Sequence, residues 1–289
     1  MPTDRNALLR QLARDPSGAS NGLTRRALPP GHVVEVPDVG PLFWISEAAP
    51  TPEDVAWARA GYEVSGMWPL LVDGDGTRTV VKRTAHGPQE LTLPWLGMEP
   101  ATDVAELDPE RLLADGWLPL IAENEANDYF EPHERVSGLA PAGTDWPGLA
   151  PAATWEGHAD QYANGMTEFL LVNGWLEEPR MVLVPAVSSS DALIAIRWPL
   201  AGLAVPGDAA GLAAVLGSWE RRFGARAIAL RRDTLFVSVA AAPTTRLQTA
   251  HIACEHFVFA PDNVLQNSDS FPEYVDALVN VNLWGFWWD

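Results

Sequence analysis

Apolar residues along this chain recur at two spacings, and the switches between them divide it into strands and helices. Residues 3–14 carry leucines at helical spacing and predict a short helix, followed by a loose DPSGASNG stretch expected to be mobile. HVVEV (32–36) and PLFWIS (41–46) read as strands. In PTPEDVAWARAGYEV, Thr51 stands as a helix N-cap, Pro52 takes the first helical position, and Glu53 and Asp54 fill the first turn. MWPLLVDGDGTRTVVKRT (67–84) reads as a hairpin turned at its Asp-Gly pairs. LDPERLLADGWLPLIAENEANDYF (107–130) opens a helix as before, with Asp108 as cap and Pro109 next.

Residues 138–151, GLAPAGTDWPGLAP, hold three prolines and three glycines and form the expected linker, with a domain boundary there. Beyond it, a helix near 155–171 is expected to bridge two halves. RMVLVPAV (180–187) is a strand of the buried type. In DAAGLAAVLGSWERRFG (208–224), Leu212, Val215, Leu216, Trp219 and Phe223 repeat at helical spacing, and Gly224 fits the C-terminal stop. ARAIAL and TLFVSVA are strands joined by RRD, and TTRLQTAHIACEHFVF is a second helix. SFPEYVDALV carries a capping box from Ser270 to Glu273, and LWGFWWD is an aromatic strand.

The C-terminal order is thus β-α-β-β-α-β. It predicts an α+β fold of the ferredoxin-like, split-βαβ kind: an antiparallel sheet with helices on one face. A smaller acidic α/β domain is expected before it. The resulting division is a mobile segment (1–27), an N-terminal domain (28–147), a linker with bridging helix (148–179) and a C-terminal domain (180–289).

Charge sharpens this picture. The 289 residues carry a formal net charge of −19. Residues 1–30 hold five Arg against two Asp, whereas residues 31–147 hold 21 acids against six bases. Residues 148–179 hold five acids and no Lys or Arg, and residues 180–289 hold ten acids and eight bases. A field of this sign repels phosphate backbones and argues against nucleic-acid binding. It serves solubility, and it would also attract a basic protein partner. The N-terminus has no long apolar core of a secretory signal, and no apolar run is long enough to cross a membrane. The single cysteine, Cys254, excludes a disulfide within the chain and fits a reducing, cytoplasmic setting. Thirteen tryptophans read chiefly as large core anchors.

Candidate chemistry concentrates in QTAHIACEHFVFAPDN (248–263). On a helical wheel Leu247, Ala250, Cys254 and Val258 share the core-facing stripe, His251 lies at its edge and His256 on the opposite side. His251, Cys254 and His256 cannot converge on one tetrahedral metal, so no metal site is expected. Cys254 lies where the helix dipole disfavours a thiolate, so it reads as a small core hydrophobe. His256 faces away from that stripe, one turn before Pro261. It reads either as a positive group favouring the helix end or as part of a polar pocket with Asp262, Asn263 and the SWERRF helix, Trp219 and Glu220 above all. In the terminal strand, alternation of Trp287, Trp288 and Asp289 sends one tryptophan to the core and offers the other as a binding anchor. DGDG (73–76) resembles the start of a calcium loop, but the twelfth position is Thr84, so a turn is preferred. SSSD (188–191) is explained by Ser189 or Ser190 as a helix cap. No nucleophile elbow or phosphate-binding glycine loop is present, and no cofactor is implied.

LGSWERRFGARAIALRRDTLFVSVAAAPTT, then CEHFVFAPDNVLQ and the terminal FWWD, resemble a bacterial, largely actinobacterial family catalogued as domain of unknown function 4253. The likeness is strongest over 180–289, and LPPGHVV, LFWIS and WPLLVDG resemble the N-terminal half of its full-length members. Where family members often carry a cysteine just before Pro-Asp-Asn, this chain has Ala260. The resemblance implies the domain and a cytoplasmic setting, and no activity. Two functions are therefore weighed. The first is a non-enzymatic binding or regulatory protein, such as an immunity factor, engaging a basic partner. The second is an enzyme or small-molecule binder with a cleft near Trp219, Glu220, His256 and Asp262.

Overall fold

The computed structural model describes residues 5–14, 27–36, 40–74, 77–84, 87–94, 107–126, 131–198 and 208–288. Along them run helix α1 (Arg5–Arg14), strands β1 (Gly31–Val36) and β2 (Gly40–Ser46), helices α2 (Pro52–Ala60) and α3 (Tyr62–Ser65), and strands β3 (Met67–Asp73), β4 (Thr77–Thr84) and β5 (Gly87–Pro94). Helices α4 (Pro109–Glu125) and α5 (Ala159–Val172), strand β6 (Pro179–Pro185), and helices α6 (Ser189–Ala195) and α7 (Asp208–Phe223) follow. The chain then forms β7 (Ala225–Leu230), β8 (Thr234–Val239), α8 (Arg246–Phe259), α9 (Asp262–Leu265), α10 (Phe271–Ala277) and β9 (Leu283–Trp287).

Seven strands make one sheet in the order β1-β2-β6-β3-β7-β8-β9, while β4 and β5 form a separate pair. The sheet is mixed: β3 runs antiparallel to β6 and parallel to β7. The expected β-α-β-β-α-β succession is present along the chain, but the ferredoxin-like strand order is not. That plan places its first strand between the third and the fourth. Here β6 instead takes β2 and β3 as neighbours, and β9 pairs with β8. The C-terminal segment does not close a sheet from its own strands, because β6 satisfies both of its edges with N-terminal ones.

Packing divides the chain into two units, each built from separated segments: residues 1–101, 167–199 and 228–232, and residues 102–166, 200–227 and 233–289. In the first, α1 buries Leu8, Leu9 and Leu12 against β1, β2 and β6. Thr51 caps α2 as expected, in a full capping box with Asp54. Strand β3 is buried along six of its seven residues, so its apolar run needs no alternation. Gly31 lets β1 approach β2 closely, since a Cβ there would come within 2.2 Å of the Trp44 ring.

Two expectations fail in this unit. Strand β3 does not form a hairpin with β4: β3 pairs with β6 from Met67↔Pro185 to Asp73↔Pro179, and β4 with β5. The Asp73 carboxylate accepts from the Glu178 N–H (2.8 Å) and from Arg231 Nε (3.0 Å). Residues 75 and 76 lie outside the described ones. The cap of α6 is Ser188, whose hydroxyl accepts from the Asp191 N–H, and not Ser189 or Ser190, which are buried.

In the second unit, α4 starts at its Asp108 cap and packs on α7 and α8. Its Trp117 is fully buried and donates to the Thr144 carbonyl at 2.9 Å. The segment expected to be a linker is thereby folded against helices of its own unit: besides Thr144, Gly148 and Ala150 bond to α8. Proline and glycine here mark turns rather than a free tether. Gly224 closes α7 as expected, at φ +62°, with its N–H on the Glu220 carbonyl at 3.1 Å.

Candidate functional site

The residues singled out from the sequence converge around α8. This helix is buried on every side over most of its length, from Thr249 to Phe259 with His251 half-buried. The expected core stripe holds for Ala250, Cys254 and Val258, which are buried, but not for Leu247, which is 72% exposed because it lies in the uncovered first turn of α8. The Cys254 thiol donates to the Ala250 carbonyl at 3.2 Å, and burial together with the Glu255 charge pushes its pKa far up. His251 Nε2 donates to the Gly148 carbonyl at 3.0 Å. Among the described residues no group of three His, Cys, Asp or Glu side chains is arranged to hold a metal.

His256 does not face outward. It is completely buried, because α10 and β9 cover the side of α8 opposite the Cys254 stripe. Its Nδ1 shares a hydrogen bond with the Tyr274 hydroxyl at 3.0 Å. The ring stands edge-to-face with Trp284 at 4.5 Å, Phe286 at 4.8 Å and Trp219 at 5.1 Å between centroids. Its Nε2 is buried without a hydrogen-bond partner. Desolvation, aided by the Arg222 charge, lowers its pKa from 6.5 to about 3. A neutral imidazole cannot serve the negative end of the helix, so the capping reading is set aside. Burial likewise pushes the Tyr274 phenol up, so this pair stays uncharged.

The neighbouring Glu255 is the centre of a second network. It is fully buried. Oε1 accepts from the Ala150 N–H and from Arg222 Nη1, both at 2.7 Å, and Oε2 accepts from Trp219 Nε1 at 2.7 Å and Arg222 Nη2 at 2.5 Å. Arg222 also donates from Nη1 to the Ala150 carbonyl at 2.8 Å and from Nε to Ser218 at 3.0 Å. The Arg222 carbonyl accepts the Ala153 N–H at 3.0 Å. The buried ion pair is thus bidentate, with every guanidinium nitrogen and both carboxylate oxygens engaged. It fastens residues 150–153 to α7 and α8.

Of the other flagged residues, Trp219 is fully buried and stacks on Phe286 at 5.3 Å. Glu220 is half-buried, and its neighbour Trp219 stands against His256. Asp262 is half-buried and accepts from Gln266 Nε2 at 2.9 Å. Asn263 is a staple: Nδ2 donates to the Gly285 carbonyl at 2.6 Å and Oδ1 accepts the Trp287 N–H at 2.9 Å, tying α9 to β9. Trp288 is buried and donates to the Phe259 carbonyl at 3.1 Å, while Trp287 is half-buried. Asp289 lies outside the described residues.

Sequence reasoning passed over Tyr274, weighed Glu255 only as a metal ligand beside His251 and Cys254, and read Arg222 as a helix-surface residue, whereas the structure draws Arg222 inward to the buried Glu255 carboxylate. One signal was available for the last two. Trp219 and Arg222 are three apart on α7, hence on one face, and Glu255 stands with His256 between the apolar stretches IAC and FVFA. A carboxylate at such a position requires a cationic partner.

The fold and cluster define a mixed α/β protein whose polar core is organised by an ion pair and an aromatic cage. Residues 180–289 of the chain match the family model described as domain of unknown function 4253. That stretch supplies α7, α8, α10 and β9, which hold Arg222, Glu255, His256, Tyr274 and Trp284. No curated protein and no solved structure matches the chain.

Proposed function

We propose that this is a non-enzymatic binding or regulatory protein that engages a basic protein partner, as an immunity-like module would. The supporting observation is that the candidate reactive groups of α8 are buried. The Glu255 carboxylate takes four hydrogen bonds, Cys254 is an inert core thiol, and His256 is neutral inside aromatic walls. None of them is exposed to a substrate. The formal charge of −19 supplies an electrostatic reason for a basic partner and against nucleic acid. No helix among the described residues is long and apolar enough to cross a membrane. The buried free thiol accords with a reducing cytoplasm.

Affinity capture with the tagged chain from its host's lysate, at low and at high salt, tests the reading. A basic protein retained at low salt and shed at high salt supports it. Recovery that is indifferent to salt, or of acidic proteins only, removes it. A second reading, a small-molecule site at the same residues, is favoured by one observation: the buried, unpartnered Nε2 of His256. A metabolite thermal-shift panel in which a hit disappears in His256→Phe would establish it.

A further inference from the structure

We propose that the C-terminal tip of α5 is the docking surface for that partner, and that it takes a basic amphipathic segment. The inference rests on the binding reading above and gives it a location. Three large apolar side chains lie within seven residues here and are exposed: Phe169 (41%), Val172 (73%) and Trp175 (46%). Exposed apolar residues are ordinarily scattered singly, and grouping marks an interaction surface.

The group is built, not frayed. The inner face of this turn is anchored by buried Thr167 and Leu170, and Arg59 Nη2 donates to the Thr167 hydroxyl at 3.2 Å. Phe169 and Val172, three apart, share the outer face. Beyond the helix end at Val172, Gly174 turns the chain at φ +66°. The Trp175 N–H returns to the Leu170 carbonyl at 3.0 Å and the Asn173 N–H to Phe169 at 3.1 Å, while Leu176 is buried as the anchor beyond. This turn lays the Trp175 ring beside Phe169, 5.9 Å between centroids. The two aromatics are therefore held in place before binding, which reduces the entropy lost on association.

Charge selects the occupant. Glu168, Glu177 and Glu178 are exposed around the aromatics, and the surrounding stretch 148–179 has no Lys or Arg. Arg180 approaches Glu178 only at 3.9 Å, with that carboxylate 70% exposed. An aromatic centre with an acidic rim complements apolar anchors flanked by Lys or Arg. A second copy of this chain would set the same glutamates against each other, and an anionic membrane would be repelled.

The experiment selects a randomised peptide display library on the full chain and remeasures enriched peptides, labelled, by fluorescence anisotropy at low and high salt. The expected result is enrichment of Lys/Arg-rich peptides with spaced aromatic or Leu residues. Trp175→Ala should weaken their binding about tenfold or more. Glu168→Gln with Glu177→Gln should weaken it at low salt and flatten the salt dependence. Leu247→Ala, at a 72% exposed leucine outside the patch, should change nothing. Unchanged thermal melts show that the variants fold. Basic peptides that bind Trp175→Ala as well as the parent chain would overturn this surface and leave the binding reading standing. Enrichment without basic character would overturn both. Sedimentation showing a dimer that Trp175→Ala dissociates would make the patch a self-interface and overturn the proposal.

Discussion

Removing one partner of the Arg222–Glu255 pair should be among the most costly single changes this protein can suffer. In Glu255→Gln, one carboxylate oxygen becomes an amide that can only donate. Whichever oxygen is replaced already receives two N–H groups, from Ala150 and Arg222 or from Trp219 and Arg222. Two charge-assisted bonds are lost, and donors face donors at a buried position. At about 1.5–3 kcal/mol for each bond to a charged group, the loss is about 3–6 kcal/mol. For a chain of this length that corresponds to a melting point lower by about 5–10 °C. Arg222→Met should cost a similar amount, because it leaves the Glu255 charge buried with only the Trp219 and Ala150 donors. The double replacement Arg222→Met, Glu255→Leu should cost less than either single change, since it leaves no unpaired charge. Urea denaturation provides the free energies, and hydrogen exchange at the Ala150 amide reports the site itself. If Glu255→Gln costs under about 1 kcal/mol, or the double variant is as costly as the summed singles, the pair is not the fastening described above.

Other consequences follow from the same cluster. Because the folded pKa of His256 is about 3 against 6.5 when unfolded, the unfolded chain binds the extra proton in that window. Stability should therefore fall as pH drops below 6.5, by on the order of 1 kcal/mol per pH unit, until it levels near pH 3; His256→Phe should remove this component from a pH series of denaturation curves. Cys254 should be unreactive toward a thiol reagent in the native state and titrate fully in denaturant, since its thiol is buried and its pKa pushed up. Gly224→Ala should cost about 1–3 kcal/mol in thermal or urea unfolding, combining a backbone at φ +62° with a Cβ only 2.9 Å from that of Ala240. Asn263→Ala should release both bonds to β9 and cost about 2–3 kcal/mol, seen first as faster exchange of the Trp287 amide.

What the amino-acid order determined by itself was local. Thr51, Asp108 and Ser270 cap helices in the structure because a cap needs only a short side chain and the N–H groups two or three residues ahead. Gly224 ends α7 for an equally local reason, its tolerance of positive φ. Strands such as β3 and β6 were legible as unbroken apolar runs. Pairing was not. That β3 would choose β6, more than a hundred residues on, over the adjacent β4 depended on which edges the rest of the chain left open. The β3–β4 pairing expected from the Asp-Gly pairs gave way to those long-range partners. The site divides in the same way. A helical wheel correctly set Cys254 in the core, but its azimuth says nothing of what packs on the opposite face. Only the arrival of Tyr274 from α10 and Trp284 and Phe286 from β9 buried His256 and made it neutral. Likewise, Glu255 is tolerable inside α8 only because α7 turns Arg222 and Trp219 toward it and residue 150 supplies an N–H. Caps and periodicity act over a few residues, whereas desolvation and charge pairing depend on neighbours that only the folded chain brings together.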